Sequence, residues 1–330
     1  MANTKEIQDR IKSINDTLKI TNAMYMISSS KLKKSKKMLS DTEPYFFTLQ
    51  SEMSRILRHI PDISSIYFKT NEDKDAADKK VGYIVITADK GLAGSYNHNV
   101  LKIAQEHHCS YLFEASVGGG IPIIRPLCTS LAQEHIESIT GILNGTTNYI
   151  LSKMENEGAD FETVLKRAQE KGYAERNPEA DVCGYDAGRK IAILTSLAYG
   201  KNVDFADLYV EGITQITRMD FAYAKKLGTT IKLFAKSQCI DGKYYAMVAP
   251  FMVTADNPLY AVQNVFNAIL VHGNMVGDTM DYGKGAGKLA TASAVVADVI
   301  DCAKHLGKHV QVIWEEDKLE ISPMDDFVSL

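Results

Sequence analysis

Apolar or small residues at Ile7, Ile11, Ile14, Leu18, Thr21, Tyr25, Ser28, Leu32, Ser35 and Leu39 follow an alternating four-three spacing. That spacing lines one seam of a helix of the coiled-coil type. Asn3 and Glu6 have the separation of a capping box. No Pro or Gly intervenes before Pro44, and the pattern resumes to Leu57, so a long helix is predicted over 3–58. Lys31, Lys33, Lys34, Lys36 and Lys37 cluster beyond its middle, as a solvated face or as a contact for an acidic partner. Residues 69–80 are charged, lack periodicity and read as a loop. VGYIVITADKGLAGSYNHNVLK (81–102) predicts a buried strand, a Gly-containing turn and the start of a helix.

From about residue 103 the pattern changes to alternating strands and helices with Gly-rich turns. IAQEHHCSYLFEAS reads as a helix end followed by a strand. ADFETVLKRAQEKG predicts an amphipathic helix opened near Asp160 and closed by Gly172. GYDAGRKIAILTSLAYG predicts a second helix with Ile191, Leu194 and Leu197 on its apolar face. GKLATASAVVADVIDCAKHLG predicts a third, rich in small residues and packed tightly against a neighbour.

The chain has 330 residues, room for two ordinary domains or one large α/β domain. Its formal charge of −4 argues against a general nucleic-acid binder. Cys109, Cys128, Cys183, Cys239 and Cys302 are scattered without a CxxC, the usage of a reducing compartment and not of a zinc site. The polar start MANTKEIQDR does not read as a secretory signal, and no apolar run approaches the ~20 residues of a membrane helix. A cytoplasmic protein without a membrane span is expected.

Candidate chemistry concentrates in GYAERNPEADVCGYDAGRK (172–190), where Glu175, Glu179, Asp181, Asp186 and Lys190 crowd together. Asp186 and Lys190 are four apart on the predicted helix and share one face. Such a pair is either a surface ion pair worth a few tenths of a kcal/mol, roughly, or a lysine held charged between carboxylates in a cleft. In the cleft it could give a proton to an alkoxide-like oxygen.

Four stretches carry a resemblance. FEASVGGGIPIIRPL (113–127), GILNGTTNYIL (141–151), GYAERNPEADVCGYDAGRKIAIL (172–194) and GDTMDYGKGAGKLATASAVVAD (277–298) together resemble homoserine dehydrogenase, in family order. The resemblance implies an α/β catalytic domain over 103–330, with a mixed sheet covered by helices on one face, and a homodimer. It implies hydride transfer between NADP or NAD and the L-homoserine/L-aspartate 4-semialdehyde pair, in threonine and methionine biosynthesis. Lys190 matches the family's catalytic lysine, with Asp186 orienting it, and Glu175 matches the carboxylate that holds the substrate amine. Asp181 lines the same pocket, and Tyr173, Gly145 and Thr146 fall at substrate-contact positions. Glu114, Val117, Gly119 and Ile121 match a sodium site, where carbonyl oxygens suit a hard cation. GKGAG, with Gly285 and Gly287, matches a segment that touches the nicotinamide cofactor; Lys288 and Ala290 stand where many relatives have Gly and Pro.

The opening is similar to a different family. TKEIQDRIKSINDTLKITNAMYMISSSKL and ITADKGLAGSYNHNV resemble the gamma subunit of rotary ATP synthases, over about residues 1–102. There the first helix pairs with a C-terminal helix as the rotating shaft. No match to that partner is read in WEEDKLEISPMDDFVSL, so the apolar seam is expected to self-associate or fray. Residues 1–102 also contain no GxGxxG, so an intact dinucleotide-binding domain is not expected. Lys90, in ITADKGLAG, falls where the dehydrogenase family carries a second catalytic lysine, by resemblance or by chance similarity of two strand–turn–helix segments. A small regulatory domain, found in longer relatives, is not expected here. Three readings follow: an oxidoreductase, a gamma-like rotary or structural component, or a hybrid with neither activity.

Overall fold

A computed structural model describes residues 4–61, 82–87, 95–107, 110–305 and 314–328. The chain divides into two compact units, Met1–Ala77 and Asp78–Leu330.

In the first unit a single helix, α1 (Thr4–His59), runs without a break through Pro44. Its 56 residues extend for roughly 84 Å at 1.5 Å per residue. Thr17, Thr21, Thr42, Thr48 and Ser54 bond back to the carbonyl four residues earlier, which spends their hydroxyls within the helix. No residue of α1 is buried. The seam from Ile7 to Leu39 is therefore a stripe of exposed apolar side chains. Asn3 and the 69–80 loop lie outside the described residues.

The second unit departs from the sequence pattern at its start. Residues 82–87, expected as a buried strand, are exposed and pair with no strand among the described residues. The apolar run GYIVI has β propensity, but without a ladder its backbone groups gain nothing from that conformation. The helix that follows does form, as α2 (Tyr96–Glu106). The strand expected after it does not form among the described residues: 110–113 are irregular and lead into a short turn, Glu114–Ser116. That turn is fixed by the Glu114 carboxylate, which captures nearby amides.

The body of the unit is a six-stranded sheet. Its strands are β1 (Ile136–Ile142), β3 (Tyr209–Val210), β4 (Thr229–Ile240), β5 (Lys243–Thr254), β6 (Phe266–Gly273) and β7 (Gly277–Lys284), in the order β3-β5-β4-β1-β6-β7. All pairings are antiparallel except β3 with β5, so the sheet is mixed. β4 and β5 form a long hairpin whose turn, Asp241-Gly242, has positive φ at both residues, the backbone that a two-residue hairpin requires. A separate two-stranded ladder joins β2 (Lys201–Asn202) to β8 (Glu315–Lys318).

Alternation along each strand divides the core in two. Ile139, Ile231, Leu233, Val248, Ile269 and Val271 face the helices α3 (Gly145–Glu157), α6 (Tyr185–Tyr199) and α7 (Arg218–Lys226), with α4 (Phe161–Glu170) packed on α3. Ile142, Phe234, Val253 and Ala268 point the other way and pack under the Pro258–Ala261 turn. The main helices thus cover one face, as expected. The one-turn α9 (Met324–Val328) lies on the other, with Phe327 against Tyr245.

Helix ends follow the sequence. Asp160 caps α4 by accepting from Thr163 N at 2.8 Å, and Gly172 follows its end with φ 74°. Ile191 and Leu194 of α6 are fully buried, and Leu197 is partly so. The helix α8 (Lys288–Lys304) contradicts its expected tight packing. Ala294 alone is buried there, while Leu289, Val295, Val296 and Val299 are exposed. It meets the domain at the Glu114–Ser116 turn and through Arg125, which pairs with Asp298 at 2.5 Å and Asp301 at 3.3 Å.

Candidate functional site

Three chain segments converge at one end of the sheet: the C-terminal end of β1, the N-terminal end of β6 and the C-terminal end of β7. β1 runs into Leu143–Asn144 and turns directly into α3. Asn144 caps that helix, its Oδ1 accepting from Thr147 N at 2.9 Å. Its Nδ2 donates to Asp181 Oδ1 at 2.8 Å and to Asp186 Oδ2 at 2.9 Å. One buried amide therefore spans two carboxylates from different helices, α6 and the one-turn α5 (Glu179–Val182).

Lys190 completes the cluster. Its Nζ donates to Asp186 Oδ2 at 2.6 Å and to the Leu143 carbonyl at 3.0 Å. The Lys190 side chain is only 19% exposed, so this is not a solvated surface pair. The pKa of Asp181 is raised. Burial is the main cause, reinforced by the Asp186 charge, although the Asn144 hydrogen bond and the Lys190 charge act to lower it.

The remaining sequence-predicted substrate residues gather round this cluster. Thr146 is buried and donates to the Tyr173 carbonyl at 2.7 Å. The Tyr173 ring is exposed and stacks edge-on against Tyr149. Gly145 is required by crowding: a Cβ there would come within 2.8 Å of the Val265 carbonyl. Glu175 is exposed but acts on the same field, since its charge helps raise Asp181. Gln169, on α4, donates to the Glu175 and Arg176 carbonyls at 3.0 and 3.4 Å and so sets the course of that loop.

The two Gly-rich loops meet each other. Val117 and Ile121 are buried, Gly118 and Gly119 have φ of 74° and 59°, and Gly120 N donates to the Lys284 carbonyl at 3.2 Å. A Cβ on Gly119 would overlap the Gly285 carbonyl, and one on Gly285 would overlap the Asn267 amide. Gly287 has φ 117° and immediately precedes α8. Glu114 is buried, and its carboxylate accepts from Ile123 N, Ile124 N and Arg125 N at 2.6–2.9 Å. Both its side-chain oxygens are thus spent on amides. Any fit to sodium is confined to main-chain carbonyls, and the described residues hold no cluster of three His, Cys, Asp or Glu for a metal. Lys90 lies outside the described residues. A concavity of about 680 Å³ beside Tyr209, Tyr245 and Ile321 is at the opposite edge of the sheet and contains none of these groups.

Sequence reasoning passed over Asn144, Gln169 and Asn267. Asn144 was legible as a cap, since Asn ends an apolar strand and is followed by GTT. The other two act through tertiary contacts that no local pattern announces.

Fold and cluster together define an α/β domain with a lysine–carboxylate centre at one end of a mixed sheet. The Homoserine dehydrogenase family matches residues 122–300, and the ATP synthase family matches residues 3–116. The homoserine dehydrogenase of Synechocystis is 49% identical over 221 residues, 66% of this chain and 51% of that protein. The crystal structure of a homoserine dehydrogenase from Thiobacillus denitrificans superposes with a TM-score of 0.63 at 40% identity, covering 69% of this chain and 56% of that one. A hyperthermophilic archaeal homoserine dehydrogenase mutant in complex with NADPH gives 0.54 at 30% identity, covering 65% and 62%. The chain belongs to the homoserine dehydrogenase family. It spans about half the length of the curated relatives it matches. No described helix is long and apolar enough to cross a membrane.

Proposed function

We propose that residues 103–330 are the catalytic domain of an NAD(P)-dependent oxidoreductase that interconverts L-homoserine and L-aspartate 4-semialdehyde, in threonine and methionine biosynthesis. The observation that carries this is Lys190, half-buried between Asp186 and the Leu143 carbonyl and joined through Asn144 to Asp181.

Each residue has a role in this reading. Glu175 holds the substrate ammonium, a charge-assisted contact worth about 1.5–3 kcal/mol. Gly145, Thr146 and Tyr173 form the wall against which the amino-acid end lies. Charged Lys190 gives a proton to the carbonyl oxygen as the semialdehyde takes up hydride, and in the oxidising direction the neutral amine of Lys190 takes the hydroxyl proton of homoserine. Asp186 fixes the ammonium through the 2.6 Å contact, so little reorganisation is needed at that oxygen. The nicotinamide cofactor supplies the hydride acceptor or donor. Gly285 and Gly287 are the residues to hold it, because a Cβ on Gly285 would collide with Asn267 and Gly287 holds a φ of 117° that side chains rarely adopt. Residues 1–102 contain no GxGxxG, so weak cofactor binding is expected of this chain. A sodium ion on the carbonyls of Glu114, Val117, Gly119 and Ile121, a homodimer and a cytoplasmic location belong to the same proposal.

Homoserine-dependent reduction of NADP and NAD by the purified chain, followed by nicotinamide absorbance, tests it. Turnover that is lost in Lys190→Ala supports the assignment. Turnover retained in that variant refutes Lys190 as the proton donor. A second reading has its own support in the ATP synthase match to residues 3–116: the N-terminal stretch is a fragment resembling the gamma subunit, with α1 as a shaft-type helix.

A further inference from the structure

Asn267 lies next to the first residue of β6, only 1% exposed, and pairs in register with Gly283 of β7. Its amide sits between two glycines of the candidate site. A Cβ on Gly145 would meet Oδ1 at 3.5 Å, and a Cβ on Gly285 would overlap Nδ2. Neither Nδ2 nor Oδ1 has a hydrogen-bond partner among the described residues. Its neighbour Asn148, equally buried, spends its donor on the Phe266 and Val262 carbonyls at 3.0 and 3.4 Å.

Buried amides are almost always bonded, because an unmade bond leaves a desolvated donor or acceptor. Asn is a poor strand former, so strand propensity does not account for the residue. Position 267 thus keeps a donor and an acceptor that the strand does not use. They lie where the substrate corner at Gly145 meets the loop through Gly285.

We propose that Asn267 is a further positioning residue of this site. Its amide hydrogen-bonds the peptide groups of the Gly285–Gly287 loop when homoserine and the nicotinamide ring are held between that loop and Gly145. This fixes the loop at the separation that hydride transfer needs. The proposal rests on the functional reading above.

Asn267→Leu, which keeps the branching at Cγ and removes both polar atoms, tests it, with Asn267→Ser as a second variant that retains a small polar group. Three quantities are read on the whole chain: Tm, hydrogen exchange over 283–290 with and without homoserine plus NADP, and the homoserine Kd by calorimetry in the presence of NADP. The expected result for Asn267→Leu is a Tm equal to or above the parent, loss of ligand-induced protection in the loop, and about tenfold weaker homoserine binding. Asn267→Ser should fall between the two in affinity. A Tm several degrees lower would mean the amide is already bonded in the resting fold, and would overturn the proposal. So would unchanged affinity and loop protection. If the parent chain shows neither heat nor protection with homoserine, the functional reading itself fails, and this proposal with it.

Discussion

Asn144 does two separable jobs, and Asn144→Asp removes only one. An aspartate keeps the oxygen that accepts from Thr147 N at 2.9 Å, so the cap of α3 survives. It loses the Nδ2 donors to Asp181 and Asp186, at 2.8 and 2.9 Å. Each is a hydrogen bond to a charged group, worth about 1.5–3 kcal/mol. Both carboxylates are only partly buried, so the lower figure applies, and the two together contribute roughly 3 kcal/mol. The introduced carboxylate then faces two others across hydrogen-bond distances, which adds repulsion. For a domain of this size about 3 kcal/mol lowers Tm by roughly 6–12 °C. The loss must depend on pH. Asp181 already has a raised pKa, and the introduced group would share that direction. Groups with raised folded pKa values favour the fold below the usual carboxylate range and lose that contribution as pH rises through the folded value. The deficit of Asn144→Asp is therefore large near neutral pH and shrinks below about pH 4. Urea denaturation at both pH values measures it. A deficit under about 1 kcal/mol at neutral pH, or one of the same size at both, would refute the bridging role.

Four other outcomes are expected. Asp181→Asn should raise neutral-pH stability, since burial is what raises this carboxyl, and the gain should vanish in acid; thermal unfolding against pH reads it. Glu114→Gln leaves one of three amide donors facing an NH2 group and should cost about 2–3 kcal/mol in urea denaturation, independent of sodium. Gly119→Ala forces a Cβ into the Gly285 carbonyl at a φ of 59°, and should loosen the 283–290 segment in hydrogen exchange while leaving the sheet protected. The exposed seam of α1 should make the chain self-associate, and a compact monomer by light scattering would contradict that.

Periodicity revealed the elements that pack on the helical face, because a half-buried helix writes its contacts at intervals of three and four. Asp160, Gly172, Ile191 and Leu194 sit where that pattern puts them. It misled at residues 82–87 and 110–113, where β-favouring side chains have no strand to pair with among the described residues. It misled again on α8, whose small residues suggested close packing but line an exposed face. Spacing alone made the Asp186–Lys190 contact legible, since four residues on a helix bring two side chains together. Spacing did not bring in the third member, Asp181, which the family resemblance places in the same pocket. Asp181 joins the pair only through Asn144, across separations of 37 and 42 residues that depend on how β1, α5 and α6 meet.

The most direct test of the central claim is calorimetric titration of homoserine into the chain and into its Lys190→Ala and Glu175→Gln variants. The account predicts saturable binding by the parent, at least tenfold weaker in Glu175→Gln, where a charge-assisted contact is lost. Equal affinity in all three, or no binding by a folded parent, would contradict the assignment of this lysine–carboxylate cluster as the homoserine site.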